Sequence, residues 1–200
     1  MAVALGAGLS EQEITDRMTK DLEEEGPLFG AFLRSLGAAA PSAGATRDPM
    51  QHFFQQGFNN LPAEVAAAKS GGQQAILIMF EAEDCPWCTK MKATVLNQVA
   101  VQDYYRKHFR ILMMDVNGDV PMTDFGGQEM PQKDFAFKHN RVRATPVFVF
   151  IGLDGKPMVK YTGAARDPEE FLWLGEFVVS GAWKTTNFTA YKRERSGSKK

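Results

Sequence analysis

Apolar residues change their spacing along this chain, and the changes mark out its elements. Residues 75–81 (Ala75, Ile76, Leu77, Ile78, Met79, Phe80, Glu81) form an apolar run of strand length, which predicts a strand buried on both faces. Ahead of it, residues 61–68 read as a short helix and Gly71-Gly72 as a turn. Helical spacing then holds over residues 86–107, with a break expected near Asn97. Residues 110–116 predict a second buried strand, 117–130 a Gly/Pro/Asp-rich loop and 132–139 a short helix. Residues 146–151 and 158–161 read as two more strands joined by the turn Leu153-Asp154-Gly155-Lys156. Asp167-Pro168 opens a last helix running to about residue 180, with Pro at its first turn. The order strand, helix, strand, helix, strand, strand, helix demands one parallel crossover and allows one antiparallel hairpin. It predicts an α/β fold, a mixed central sheet flanked by helices.

The ends read differently. Over residues 10–37 the pattern is helical: Ser10 and Glu13 make a capping box, and Ile14, Met18 and Leu22 share a face. Residues 37–49 are small and rich in Gly, Pro and Ser, and read as a linker. The expected organisation is a helical extension and linker over 1–59, an α/β domain over 60–184 and a C-terminal tail over 185–200, with the basic stretch 192–200 frayed. Ala2 to Leu9 is apolar but lacks the basic start of a full secretory signal.

Composition narrows this picture only a little. Of 200 residues, 44% are hydrophobic and 24% charged, ordinary for a globular protein. A net charge of -1 gives no general field to attract nucleic acid, and no apolar run is long enough for a membrane span.

The chemistry concentrates in the two cysteines, Cys85 and Cys88. They follow a buried strand and open a helix, so Cys85 sits where unpaired N–H groups and the helix dipole favour an anion. The thiolate is the reactive form, and such placement lowers the pKa from about 8.5 towards roughly 3.5–7.5. Cys88, one turn later, is placed to close a small disulfide ring, and Pro86 suits the first turn. A redox pair is the expectation. Half of a zinc site or an iron–sulfur cluster shows the same spacing, but no third cysteine exists and His52, His108 and His139 are scattered. Inert thiols are the remaining reading. Thr145-Pro146 stands directly before the strand at 147–150, where a proline marks either a tight cis connection or a plain trans start to an edge strand.

With those features in place, residues 60–182 resemble the thioredoxin superfamily and, within it, the thioredoxin-related SoxW group linked to bacterial sulfur oxidation. The stretches that carry the likeness are 80–88 through the Cys pair, Asp115-Val116-Asn117-Gly118-Asp119, residues 120–127, Val142-Arg143-Ala144-Thr145-Pro146 and Ser180-Gly181-Ala182. The resemblance implies a thioredoxin fold with an N-terminal helical extension and a thiol–disulfide oxidoreductase with Cys85 and Cys88 as catalytic residues, working as a reductant. It implies Pro146 as a cis-proline, Thr145 as the backbone partner of an extended substrate, and Trp87 as part of the docking surface. Expected partners are a disulfide-containing protein or small thiol substrate and a thiol-reducing electron donor; no cofactor is called for. The group is usually exported to the periplasm, with the cytoplasm as the alternative. A second reading makes the fold a binding module with the Cys pair as a redox latch.

One departure stands out. The buried Asp and Lys usual in thioredoxins align with Met79 and with Met113 or Met114. Glu81, ending the strand beside the pair, is the candidate replacement proton acceptor, with Glu83 as the alternative and two solvated carboxylates as the bland reading. Lys90 and Lys92 read as exposed helix lysines, and Met79, Met91, Met113 and Met114 as core filler.

Overall fold

The run at 75–81 is β1 (Ala75–Glu81), and six of its seven residues are fully buried, as expected of a strand covered on both faces. It is the second strand of a four-stranded sheet in a computed structural model that describes residues 44–57 and 59–197. The helices expected over 10–37 lie outside the described residues. β2 (Phe109–Asp115) pairs parallel with β1, while β5 (Val147–Gly152) pairs antiparallel on its other side, and β6 (Pro157–Thr162) closes the order β2-β1-β5-β6. A parallel β1–β2 pair needs a crossover. It is made by α3 (Pro86–Thr94) and α4 (Val99–His108), separated at the break expected near Asn97.

Alternation along β1 and β5 sorts the core into two layers. Leu77, Met79, Phe148 and Phe150 face α3, α4 and α6 (Pro168–Val179). Ile76, Ile78, Phe80, Val147 and Val149 face α2 (Leu61–Ser70) and α5 (Gln132–Asp134), which continues into a π turn over Phe135–His139. α4 and α6 approach so closely at Gly175 that a Cβ there would lie 2.9 Å from the Tyr104 ring. Beside it the Tyr105 and Phe171 rings stack at 4.5 Å, and the Tyr105 hydroxyl donates to the Phe171 carbonyl. Side chains cap the main helices: Asn60 accepts from the Ala63 N–H and Asp167 from the Glu170 N–H.

Three expectations are corrected. Residues 44–49, the described part of the 37–49 stretch read as a linker, do not behave as one: Thr46 bridges to Gln98 and the Arg47 N–H donates to the Asn97 carbonyl. Asp48 caps α1 (Pro49–His52), and Phe53, fully buried, packs against Tyr105 and Phe171. The loop over 117–130 contains a hairpin of β3 (Pro121–Thr123) and β4 (Glu129–Pro131), three-residue strands too short to print a period on the sequence. The C-terminal stretch is not frayed up to residue 197: α7 (Phe188–Gly197) packs Tyr191 against Phe177, and Lys192 and Arg195 pair with Glu170 and Glu176. Asn187 accepts from the Ala190 N–H at its start. Among the described residues no helix is long and apolar enough to cross a membrane.

Candidate active site

The parallel strands β1 and β2 end at the same edge of the sheet, and the Cys pair stands just beyond the end of β1. Cys85 is the N-cap of α3, in extended conformation, and its Sγ accepts from the Cys88 N–H at 3.1 Å. The caps of soluble helices are usually oxygen-bearing side chains; here a sulfur takes that place and accepts the Cys88 N–H of the first turn. Cys85 and Cys88 form a disulfide, with Cα atoms 5.2 Å apart. Both are buried, Cys85 to 5% exposure and Cys88 to 1%, in the cluster that also holds Met79 and Met91. Pro86 occupies the first helical position. Trp87 between the cysteines is 57% exposed, with the Lys90 ammonium 5.1 Å from its ring centroid.

The Thr145–Pro146 bond is cis. In the β1–β5 register Phe80 faces Val147, which places the cis bond at the same sheet edge as the segment from Glu81 to Asp84 that leads into Cys85. Pro146 is buried and Thr145 half-buried. Register also resolves the methionine question: Met79 faces Met113 across β1–β2, and Met79 is fully buried on the layer that holds the cysteines, whereas Met114 belongs to the opposite layer.

Glu81 follows Leu77 and Met79 in the alternation and therefore belongs to the same sheet side as the Cys helix. Its Oε2 accepts from the Lys92 Nζ at 2.6 Å, with side-chain exposures of 15% and 26%. Lys92 is thus not the exposed helix lysine expected; it sits one turn beyond Cys88 and is half of a partly buried ion pair. Glu83 is exposed, as is Asp84.

Sequence reasoning passed over a further segment. The loop from Gly163 to Arg166 borders the site through Ala164 and Ala165, which pack on the cluster of the cysteines. Its Gly163 N–H donates to the Pro146 carbonyl at 2.9 Å, and the Ala165 N–H donates to the Met91 sulfur at 3.2 Å. The Tyr161 hydroxyl reaches the Ala164 carbonyl, and burial together with the Glu170 carboxylate pushes that phenol up to about 12. No local pattern signals such contacts; the one available hint was Met91 lying three residues after Cys88. Among the described residues no group of three or more His, Cys, Asp or Glu side chains is gathered as metal ligands.

A family model described as a thioredoxin-like domain matches residues 61–179. A search of the curated proteins found no match. Among solved structures, a thioredoxin-fold protein from Helicobacter pylori is similar at 20% identity over 63% of this chain and 86% of that one, with a TM-score of 0.52. A thioredoxin from Thermus thermophilus has 23% identity over 64% and 88%, with a TM-score of 0.49. The C-terminal domain of DsbD from Neisseria meningitidis, in its reduced form, has 20% identity over 57% and 90%, with a TM-score of 0.43. Identities this low speak to the fold alone. The family match is different in kind: it covers more than half of the chain and runs through every strand of the four-stranded sheet, so the chain belongs to the thioredoxin-like domain family.

Proposed function

We propose that this protein is a thiol–disulfide oxidoreductase that reduces disulfides of proteins or small molecules through Cys85 and Cys88. The observation that carries the reading is the Cys85 sulfur at the N-terminus of α3, accepting a backbone N–H, with the Cys88 sulfur already bonded to it. In the reduced protein the Cys85 thiolate attacks a substrate disulfide. One substrate sulfur leaves as a thiolate and the other is held in a mixed disulfide. Cys88 loses its proton and attacks the Cys85 sulfur, releasing the second substrate thiolate and closing the Cys85–Cys88 disulfide. Two electrons pass to the substrate, and a thiol donor restores the dithiol. Glu81 serves as the acceptor of the Cys88 proton, Thr145 pairs its backbone with an extended substrate segment, and Trp87 forms part of the surface that receives it.

The reductant direction is supported by where the nearby cations point. A thiolate stabilised strongly makes an oxidant, because the reduced form is then favoured. Here Lys90 stands over Trp87 and Lys92 is paired with Glu81. The Cys85 thiolate is left with the helix N-terminus as its main stabiliser. The finer assignment to the SoxW-like group, and with it the periplasm, rests on the resemblance in residues 80–88, 115–127 and 142–146.

An insulin-reduction assay with dithiothreitol tests the activity. The wild type is expected to turn over, Cys85→Ser to be inactive, and Cys88→Ser to accumulate a mixed disulfide on Cys85 that mass spectrometry identifies. Reaction that stops after one equivalent overturns the enzyme reading and favours a redox latch.

A further inference from the structure

The backbone of the loop between β6 and α6 is tethered in three directions. The Gly163 N–H donates to the Pro146 carbonyl, on the segment leading into β5, and the Arg166 N–H to Glu170 of α6 at 3.1 Å. The Ala165 N–H donates to the thioether of Met91, and of these three tethers that one alone reaches the helix that carries the cysteines. Met91 is 1% exposed and Ala165 5%. Water therefore does not compete for the Ala165 amide, and a buried donor deprived of its acceptor is costly. Met91 lies three residues after Cys88, on the same side of α3, and both pack in one cluster with Ala165. A sulfur at this place does what a leucine of similar volume does not: it fills the core and also accepts a hydrogen bond.

We propose that Met91 is a positioning residue for substrate docking. Its thioether holds the Gly163–Arg166 loop against the Cys helix, and so fixes the position of that loop, and of the cis-proline segment tied to it through Gly163, relative to the Cys pair. An extended protein segment has to lie across these segments; a small disulfide needs to reach only the sulfurs. The proposal rests on the oxidoreductase reading given above.

The test replaces Met91 by Leu, which keeps the packing volume and removes the acceptor. Exchange of the Ala165 amide proton is followed by NMR, and reduction of insulin is compared with reduction of 2-hydroxyethyl disulfide. Expected are an Ala165 exchange about tenfold faster and a ratio of insulin to small-disulfide kcat/KM lower by about tenfold, which corresponds to about 1.4 kcal/mol. The loss is expected chiefly in the insulin KM. An Ala165 amide exchanging at the wild-type rate, or equal losses on both substrates, overturns the proposal. Met91→Gln restores an oxygen acceptor at similar reach and covers the case in which the Leu variant does not fold. Its Ala165 exchange is expected within about threefold of wild type, and faster exchange in a folded Gln variant overturns the proposal as well. A wild type that reduces neither disulfide defeats the oxidoreductase reading instead, while the exchange data still judge the tether.

Discussion

The Glu81–Lys92 pair makes a prediction whose sign is fixed by charge alone. Lys92 follows Cys88 by four residues, about 6 Å along the helix axis, and its ammonium is 2.6 Å from the Glu81 carboxylate. Opposite charges in contact largely offset one another in the field they exert on a third group. Glu81→Gln leaves a lone cation, which favours the Cys88 thiolate; Lys92→Met leaves a lone carboxylate, which opposes it. Coulomb's law at about 7 Å, with an effective dielectric constant between about 20 and 80, gives roughly 0.6 to 2.4 kcal/mol, or about one pK unit. Each change is made in a Cys85→Ser background, so that Cys88 alone titrates, and the thiolate is followed by its ultraviolet absorbance as pH rises. Expected are a Cys88 pKa lower by about one unit in Glu81→Gln, higher by about one unit in Lys92→Met, and close to the parent in the double variant. Two single variants that shift in the same direction, or neither shifting, refute the reasoning. The same Glu81→Gln change in the full dithiol protein tests proton acceptance: turnover with an unaltered pH–rate profile removes that role from Glu81.

Two further outcomes concern stability. The Glu64 carboxylate is 2% exposed and accepts from the Arg110 Nε at 2.7 Å, and Arg110 also donates to the Gln56 carbonyl. Arg110→Met is expected to cost about 3 kcal/mol in urea unfolding, and combining it with Glu64→Leu to recover most of that loss; a single variant as stable as wild type contradicts the account. His108 is held below its usual range by burial and by the neighbouring Lys107. The unfolded chain therefore binds a proton that the folded protein resists, and stability falls as pH drops below about 6.5 towards the folded value. His108→Gln is expected to flatten the unfolding midpoint between about pH 5 and 7, and an unchanged slope there refutes this.

The parts of the site that could be read in advance are those written in consecutive residues. Cys85, Pro86 and Cys88 announce a helix N-terminus because the strand ahead of them is apolar throughout and the residues after them keep helical spacing. The break between α3 and α4, the turn before β6 and the Asp167 cap were legible for the same reason: each is a local conformational preference. Lys92 was misread because its identity as a helix residue says nothing about the strand residue eleven positions earlier that it meets. Phe53 was left within the 1–59 extension because the adjacent pair Phe53-Phe54 between polar residues prints neither a helical nor a strand period, although Phe53 lies wholly buried beside Phe171.

By itself, then, the sequence determined which residues face inward within each element and that a cysteine sulfur stands at a helix start. Hydrophobic period and capping chemistry act over a few residues and need no distant partner. The tertiary structure decided which element each face meets. It brought Met91 to Ala165, 74 residues away, tied Gly163 to the cis-proline segment, and set Glu81 against the helix of the cysteines. Those contacts depend on how two layers close over one sheet. A buried surface records that it must be covered, and only the packed fold supplies what covers it.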